Sequence, residues 1–104
     1  MSSREHRFPA DHPAAPGHFP GDPIIPGALL LGEVLRCVES AVGAPAAPWQ
    51  IRSAKFLAPV RPGDRLCTDC SPQAPDGSVR FRCVVGTLEV LRGEVACGNS
   101  SRRS

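Results

Sequence analysis

The sequence predicts an α+β domain in which one helix is followed by a meander of hairpin-linked antiparallel strands. Three observations lead to this prediction. Apolar residues recur at helical spacing over residues 28–42, the period changes to two from Trp49 onward, and turn signals rich in Pro and Gly separate the alternating segments. Neither an internal repeat nor a Gly-rich phosphate-binding loop occurs in the chain.

The helix over residues 28–42 has leucines and valines on a wide face, as expected of a helix that a sheet largely wraps. Gly43 is expected to cap its C-terminus, and the prolines that follow cannot continue it. Pro26 and Gly27 open the helix. Its first free N–H groups and the positive end of its dipole are therefore expected to point back toward the preceding loop.

The alternating segments predict four strands, at residues 49–58, 65–71, 79–85 and 88–97. Pro62-Gly63 fits a type II turn, in which Pro presets position i+1 and Gly accepts a positive φ at position i+2. Residues 75–77, Pro-Asp-Gly, predict a second turn. Residues 1–7 are expected to form either a flexible arm or a short first strand that closes over the site. Residues 99–104 are expected to be a flexible tail.

Length and charge limit the classes of protein that this chain can belong to. At 104 residues and 11.0 kDa it is expected to be one domain with a small core, which association with another chain would help to stabilise. A net charge of +2 and an aromatic content of 5% argue against nucleic-acid binding. No apolar run approaches the roughly 20 residues that span a bilayer, and no signal peptide is recognisable, so a cytoplasmic location is expected.

The five cysteines cannot all pair, and they are expected to be reduced thiols. Cys67 and Cys70 have the CxxC spacing of zinc or redox sites, but the motif stands alone within an alternating strand and is a weak indication. His6, His12 and His18 are six residues apart with prolines among them, a spacing that does not favour a metal site. His12 is interpreted as exposed rather than as part of the site.

His18 lies in a loop, residues 17–27, where Pro and Gly flank it on both sides. Pro fixes φ and Gly permits positive φ, so such a loop can hold a side chain in one place, which benefits a catalytic base. The alternative is that these prolines mark an extended, poorly ordered arm.

The string His18-Phe19-Pro20-Gly21-x-Pro23-Ile24-x-Pro26-Gly27 resembles the fingerprint of the 3-hydroxyacyl-acyl-carrier-protein dehydratases of the hot-dog superfamily. A second string, Lys55-Phe56-x-x-Pro59-Val60-x-Pro62-Gly63-Asp64, resembles another block of that family. Both blocks match in order and separation, so the resemblance extends over residues 8–97. Ala10-Asp11-His12-Pro13 is most similar to the small stand-alone thioester dehydratases of the aryl-polyene type.

This resemblance implies a single hot-dog domain over residues 1–104, with an antiparallel sheet wrapped around one long central helix. It implies that His18 is the general base that removes the C2 proton of a 3-hydroxyacyl thioester, a task suited to imidazole. It also implies that the Gly27 N–H polarises the thioester carbonyl. The further substrate-binding residues implied are Phe19, Pro26 and Ala28.

The family's second catalytic group is an Asp or Glu on the helix, fourteen positions after the histidine. In this chain that position is Gly32, which has no acid function. Glu33 is adjacent, about 100° further around the helix, and a one-residue offset or a local bulge would bring it to the vacant place. Glu33 is therefore the candidate catalytic acid. The alternative is an exposed glutamate at the helix start that the dipole favours.

The resemblance further implies a reaction without metal or redox cofactor, on a substrate carried by the phosphopantetheine of acyl carrier protein or by coenzyme A. It implies at least a homodimer, with sheets joined edge to edge and active sites across the interface. A heterodimer with a related subunit would allow a partner to donate the missing carboxylate. The arginines that could contact an acidic carrier or a phosphate are Arg61, Arg65, Arg102 and Arg103, with scattered solvated charges as the alternative.

Three functions follow. The first is dehydration of a 3-hydroxyacyl thioester to a trans-2-enoyl thioester in fatty-acid or related lipid or polyene biosynthesis. The second is a non-catalytic or heterodimer-dependent acyl-thioester-binding protein that has lost its acid at Gly32. The third, a thioesterase, normally needs a carboxylate that activates water, and the loop around His18 argues against it.

Overall fold

The computed structural model describes residues 2–10, 24–43 and 48–97. One helix and five strands follow one another in the order β1 (Ser2–Arg7), α1 (Gly27–Val42), β2 (Trp49–Phe56), β3 (Arg65–Cys70), β4 (Ser78–Val85) and β5 (Leu88–Cys97). The predicted helix and the four predicted strands are thus present. Helix α1 begins one residue earlier than predicted, at Gly27, and β2 ends at Phe56, before the predicted end at residue 58.

The strands form one antiparallel sheet in the order β1-β3-β4-β5-β2, and α1 packs on one face of it against β1, β3 and β4. The predicted hot-dog arrangement is therefore confirmed. The predicted meander holds only for β3, β4 and β5, because β2 pairs with β5 and not with β3, so the Pro62-Gly63 turn does not close a hairpin. The core lies between the helix and this face. Its most completely buried side chains include Val34, Val38, Leu66, Leu91 and Val95.

The N-terminal segment is a strand, and the alternative of a flexible arm is wrong for residues 2–7. These residues pair with β3 from Ser2 opposite Cys70 to Arg7 opposite Arg65, which satisfies backbone groups that a free arm would leave to water. Phe8 follows directly and is buried in the core, and its backbone exchanges hydrogen bonds with the Gly63-Asp64 turn. The predicted tail at residues 99–104 lies outside the described residues.

The two clearest backbone predictions are confirmed. Gly63 has φ 94°, and the Asp64 N–H donates to the Arg61 carbonyl at 3.0 Å, which completes the type II turn. Gly43 has φ 79° and donates its N–H to the Glu39 carbonyl at 2.9 Å, so it caps α1 in the left-handed conformation. Among the described residues, no helix has the length and apolar composition needed to cross a membrane.

Gly93 marks a close approach of three strands. In the sheet register it lies between Ala54 of β2 and Phe81 of β4. A Cβ at this position would strike the backbone carbonyl of Ser53 and approach the Phe81 ring to 2.8 Å. The carbonyl cannot turn away without disturbing the sheet, next to the irregular pairing between Ile51 and Ser53.

We therefore expect Gly93→Ala to lower the free energy of unfolding by about 1–3 kcal/mol, the usual range for inserting atoms into a packed region. Denaturant titration measures this change. Gly32→Ala is the matched control, because no heavy atom among the described residues lies within 4 Å of its added Cβ, and alanine favours a helix interior over glycine. Equal stability of the two variants would contradict the close approach at Gly93.

Candidate active site

The described part of the predicted site is the start of α1. The predicted base His18 and the predicted binding residue Phe19 lie outside the described residues, as does His12. Pro26, Gly27 and Ala28 are described, and they form the N-cap and the first two helical positions. The geometry that follows is built from these residues and from the segments that contact them.

The start of α1 has no side-chain cap. Pro26 is the N-cap residue, with φ −59° and ψ 144°, and it has no side-chain donor or acceptor. Its carbonyl accepts the Leu29 N–H at 3.0 Å, whereas the first N–H groups of a helix have no partner within the helix. Gly27 contributes the first of these groups, at the positive end of the dipole. This end of the helix can therefore stabilise negative charge on a nearby carbonyl oxygen.

A backbone hydrogen bond joins the two sequence blocks. The Ile25 N–H donates to the Val60 carbonyl at 2.7 Å, and both side chains are buried in the core. The block after β2 thus holds the segment that leads into α1. This contact explains physically why the second block accompanies the first.

A cavity of about 550 Å³ opens beside Gly27. The side chains that line it are apolar, and the polar part of its surface comes from backbone groups, so it suits a hydrocarbon chain better than a charged ligand. Among the residues that line it are Ile24, Gly27, Leu30, Phe56, Leu57 and Val60.

Gly27 has no room for a side chain. A Cβ at this position would lie 2.9 Å from the Cε1 and Cζ atoms of Phe56, which is half exposed. The ring of Phe56 therefore closes over the helix start. Because Gly27 has no side chain, the Phe56 ring, the Gly27 N–H and the cavity can lie next to one another.

Glu33 is buried, with 6% of its surface exposed, so the alternative of an exposed glutamate at the helix start is wrong. Its Oε1 lies 3.4 Å from Nε of Arg4, and its Oε2 lies 3.3 Å from Nη1 of Arg36 and 3.8 Å from Nδ1 of His6. Two guanidinium groups therefore compensate the charge of the buried carboxylate. We call Glu33, Arg4, His6 and Arg36 the Glu33 cluster.

The carboxylate of Glu33 thus contacts β1 and its own helix, and Glu33 is not among the residues that line the Gly27 cavity. Its role as catalytic acid stays a prediction. At Gly32 the space is open: among the described residues, no heavy atom lies within 4 Å of the position that a Cβ would take.

The partners of Glu33 are not among the residues predicted from the sequence. Arg4 and His6 belong to the N-terminal segment, which could be an arm or a strand. Their spacing of two residues was the available signal, because alternate residues of a strand point to one face. His6 also packs edge-on against Phe8, with ring centroids 4.7 Å apart, and this contact anchors the imidazole beside the core.

The CxxC motif does not form one site. Residues three apart in a strand point to opposite faces. Cys67 accordingly contacts Glu5 at 3.4 Å on the outer face, whereas Cys70 lies 3.4 Å from the Cys37 sulfur in the core. Burial, followed by the hydrogen bond with Cys70, raises the pKa of the Cys37 thiol to about 12, and burial raises the pKa of Cys83 to about 11. These buried thiols stay protonated near neutral pH and are poor nucleophiles.

Of the predicted arginine patch, Arg61 and Arg65 lie on either side of the Pro62-Gly63 turn. The backbone N–H of Arg61 donates to the Asp64 carboxylate at 2.8 Å. Arg102 and Arg103 lie outside the described residues. Carrier or phosphate binding by this patch stays a prediction.

Solved structures with the same architecture support the fold. The dehydratase heterocomplex ApeI:P from Xenorhabdus doucetiae matches with a TM-score of 0.74 at 20% identity, over 91% of this chain and 85% of that chain. The (R)-hydratase from A. caviae involved in PHA biosynthesis matches with a TM-score of 0.72 at 18% identity, over 93% of this chain and 94% of that one. At these identities the likeness establishes the fold.

Sequence comparison goes further. The chain is 36% identical over 81 residues to the 3-hydroxyacyl-[acyl-carrier-protein] dehydratase FabZ of Wolbachia sp. subsp. Drosophila simulans (strain wRi), a match that covers 70% of this chain and 57% of that protein. The chain therefore spans little more than half the length of this curated relative. A family model described as ApeI-like, ApeI dehydratase, matches residues 2–94. Because that match extends over nearly the whole chain, the chain belongs to the ApeI-like family of hot-dog dehydratases.

Proposed function

We propose that this chain dehydrates a 3-hydroxyacyl thioester to a trans-2-enoyl thioester. The observation that carries the proposal is the uncapped start of α1 at Gly27, which lies in the wall of an apolar cavity of about 550 Å³. A thioester carbonyl at Gly27 would meet a backbone donor and the helix dipole, and the acyl chain would find apolar walls. Dehydratases among the relatives, by name, support the same reaction.

In the proposed mechanism, the imidazole of His18 removes a proton from C2 while the Gly27 N–H stabilises the enolate-like charge on the thioester oxygen. The electron pair from the C2–H bond forms the C2=C3 double bond, and the C3–O bond breaks. The leaving hydroxyl takes a proton from an acid and departs as water. The same groups catalyse hydration of the enoyl thioester in reverse.

The source of the leaving-group proton distinguishes two forms of the proposal. In the first, Glu33 supplies it, which requires its carboxylate to leave Arg4 and Arg36, to take up a proton from solvent and to contact the substrate hydroxyl. In the second, a related subunit supplies a carboxylate, and the chain alone binds the acyl thioester without turning it over. The contacts of Glu33 favour the second form, because its carboxylate is already paired with Arg4 and Arg36 and does not line the Gly27 cavity.

We further propose that the acyl group arrives on phosphopantetheine, either of acyl carrier protein or of coenzyme A, and that the reaction needs no metal or redox cofactor. Fatty-acid or related lipid or polyene synthesis in the cytoplasm is the setting expected for such a step. A thioesterase is the less favoured activity, since the one buried carboxylate described near the helix start, Glu33, is paired with arginines.

We propose that the working unit is a dimer joined at β2. This strand is an edge of the sheet, and helix α1 packs toward the opposite edge. Apolar side chains along or just beyond β2 are consequently exposed, Ile51 by 44% and Leu57 by 43%. A second copy or a related subunit would cover them and pair with the free strand edge. The heterocomplex named above supports the possibility of a related subunit.

The first test is turnover of a short 3-hydroxyacyl thioester, followed by ultraviolet absorbance of the enoyl product. We expect His18→Ala to reduce kcat by at least about a hundredfold, the usual contribution of a general base. Residual activity in this variant would still be consistent with His18 as the general base. Wild-type activity in His18→Ala would contradict the proposed reaction.

Glu33→Gln and Arg4→Gln form a matched pair for the acid. Both break the same ion pair, but only the first removes the carboxyl group. If Glu33 is the acid, we expect kcat to fall about a hundredfold in Glu33→Gln and only slightly in Arg4→Gln. Equal losses of kcat in the two variants would indicate that Glu33 stabilises the contact between α1 and β1 and is not the acid. Activity that appears only in Gly32→Asp would identify a site that has lost its acid.

Gly27→Ala tests the helix start. The added methyl group would displace the Phe56 ring into the cavity, so we expect kcat/KM to fall roughly tenfold while stability changes by no more than about 1 kcal/mol. Measurement of the double variant with Phe56→Ala provides the control, because removal of the ring relieves the contact. Unchanged kcat/KM in Gly27→Ala would exclude a tight fit of substrate at this residue.

Sedimentation equilibrium tests the β2 interface. We expect the wild-type chain to be a dimer and Ile51→Lys to shift it toward monomer, because a charge would be buried at the joined edge. Leu88→Lys is the control, since Leu88 is exposed by 57% at the β4–β5 hairpin. If the wild-type chain is monomeric and dimerises only with a related subunit, the working unit is a heterodimer and not a homodimer.

A further inference from the structure

A row of basic side chains crosses the outer face of the sheet, away from α1. In the strand register Lys55 of β2 lies opposite Arg92 of β5, which lies opposite Arg82 of β4. Like charges directly opposite one another destabilise a sheet. The row therefore lowers the stability of the fold. A function or a partner would explain why these residues are present.

The carboxylates nearby compensate only part of this charge. Glu89 lies 3.7 Å from Arg92 and 4.0 Å from Arg82, and it is shared between them. Neither Lys55 nor Arg80 has an ion-pair partner among the described residues. Glu94 lies 3.5 Å from Arg52, and Asp69 of β3 lies opposite Arg82 in the register, where its carboxylate accepts a hydrogen bond from Ser3.

A groove of about 640 Å³ opens along this row. Its lining includes four basic residues (Lys55, Arg80, Arg82 and Arg92) and two acidic ones (Glu89 and Glu94), so the lining is net positive. Arg82 and Arg92 are more than half exposed and can reach a ligand from solvent. The groove lies on the other face of the sheet from the Gly27 cavity and shares no residue with it.

We infer that this outer groove binds a phosphate-bearing anion. A phosphate monoester carries about −1.5 to −2 charges near pH 7, which is opposite in sign to the net charge of the lining. Guanidinium groups pair with phosphate oxygens in a bidentate manner, and Arg82 and Arg92 are neighbours across two strands. Binding would also relieve the repulsion within the row. The inference does not depend on the proposed dehydration.

Inorganic pyrophosphate is the first probe, titrated at constant ionic strength into the ¹⁵N-labelled full chain. We expect amide shifts to concentrate in β2, β4 and β5. We expect Arg82→Gln and Arg92→Gln each to weaken binding roughly tenfold, because each removes a charge-assisted hydrogen bond. The amide spectra of the variants also report whether they fold.

Two further variants are expected to strengthen pyrophosphate binding and to leave it unchanged, respectively. Glu89→Gln frees both arginines, so we expect pyrophosphate to bind more tightly by a factor of about three. Arg7→Gln, an exposed arginine on β1 outside the groove, should leave binding unchanged. Weaker binding in Glu89→Gln would contradict the inference.

Vesicles of phosphatidylglycerol, compared with phosphatidylcholine, distinguish a lipid headgroup from a soluble phosphate compound. Binding of pyrophosphate alone assigns the groove to a soluble ligand. Binding of the anionic vesicles, lost in Arg82→Gln and Arg92→Gln, assigns it to a lipid phosphate. Absence of binding to both probes, or binding that both arginine variants retain, overturns the inference.

Discussion

The hydrogen bond from Ile25 N–H to the Val60 carbonyl is the constraint on which the candidate site depends. It ties the segment before α1 to the connection between β2 and β3, and the two buried side chains lock that contact into the core. The position of Gly27 follows from it. The start of the helix is then held beside Phe56, where the Gly27 backbone N–H and a cavity lined by apolar side chains meet.

Much of this arrangement could be predicted from the residues because its causes are local. Pro62-Gly63 specifies its turn through the φ values that the two residues accept, and Gly43 specifies the helix end in the same way. The apolar periods of α1 and of the strands indicate which faces are buried. Resemblance of two short strings to a known family then implied a sheet wrapped around the helix, whereas the position of β2 beside β5 was not predicted, because no local signal contains it.

What could not be predicted depends on pairing between distant segments. The burial of Glu33 results from β1, whose Arg4 lies 29 residues earlier in the chain and reaches the helix only because β1 pairs with β3. The basic row likewise exists only in the register of β2, β5 and β4, where an irregularity follows Cys83. A list of charges along the chain cannot reveal that Lys55, Arg92 and Arg82 are neighbours.

The structure also sharpens the question of the catalytic acid. A buried carboxylate loses the favourable solvation of water and needs cations nearby, and Arg4 and Arg36 meet that need at Glu33. The same contacts join β1 to α1, so removal of the carboxylate from them would loosen an edge of the sheet. Gly32 has the opposite character, since no side chain of the described residues beyond its chain neighbours lies within 4 Å of the position that its Cβ would take. In the proposed reaction, a carboxylate from another subunit would leave the contacts of Glu33 intact, whereas reassignment of Glu33 would cost the fold a buried ion pair. For the proposed dehydration, therefore, an acid supplied across an interface disturbs this chain less than one supplied by Glu33.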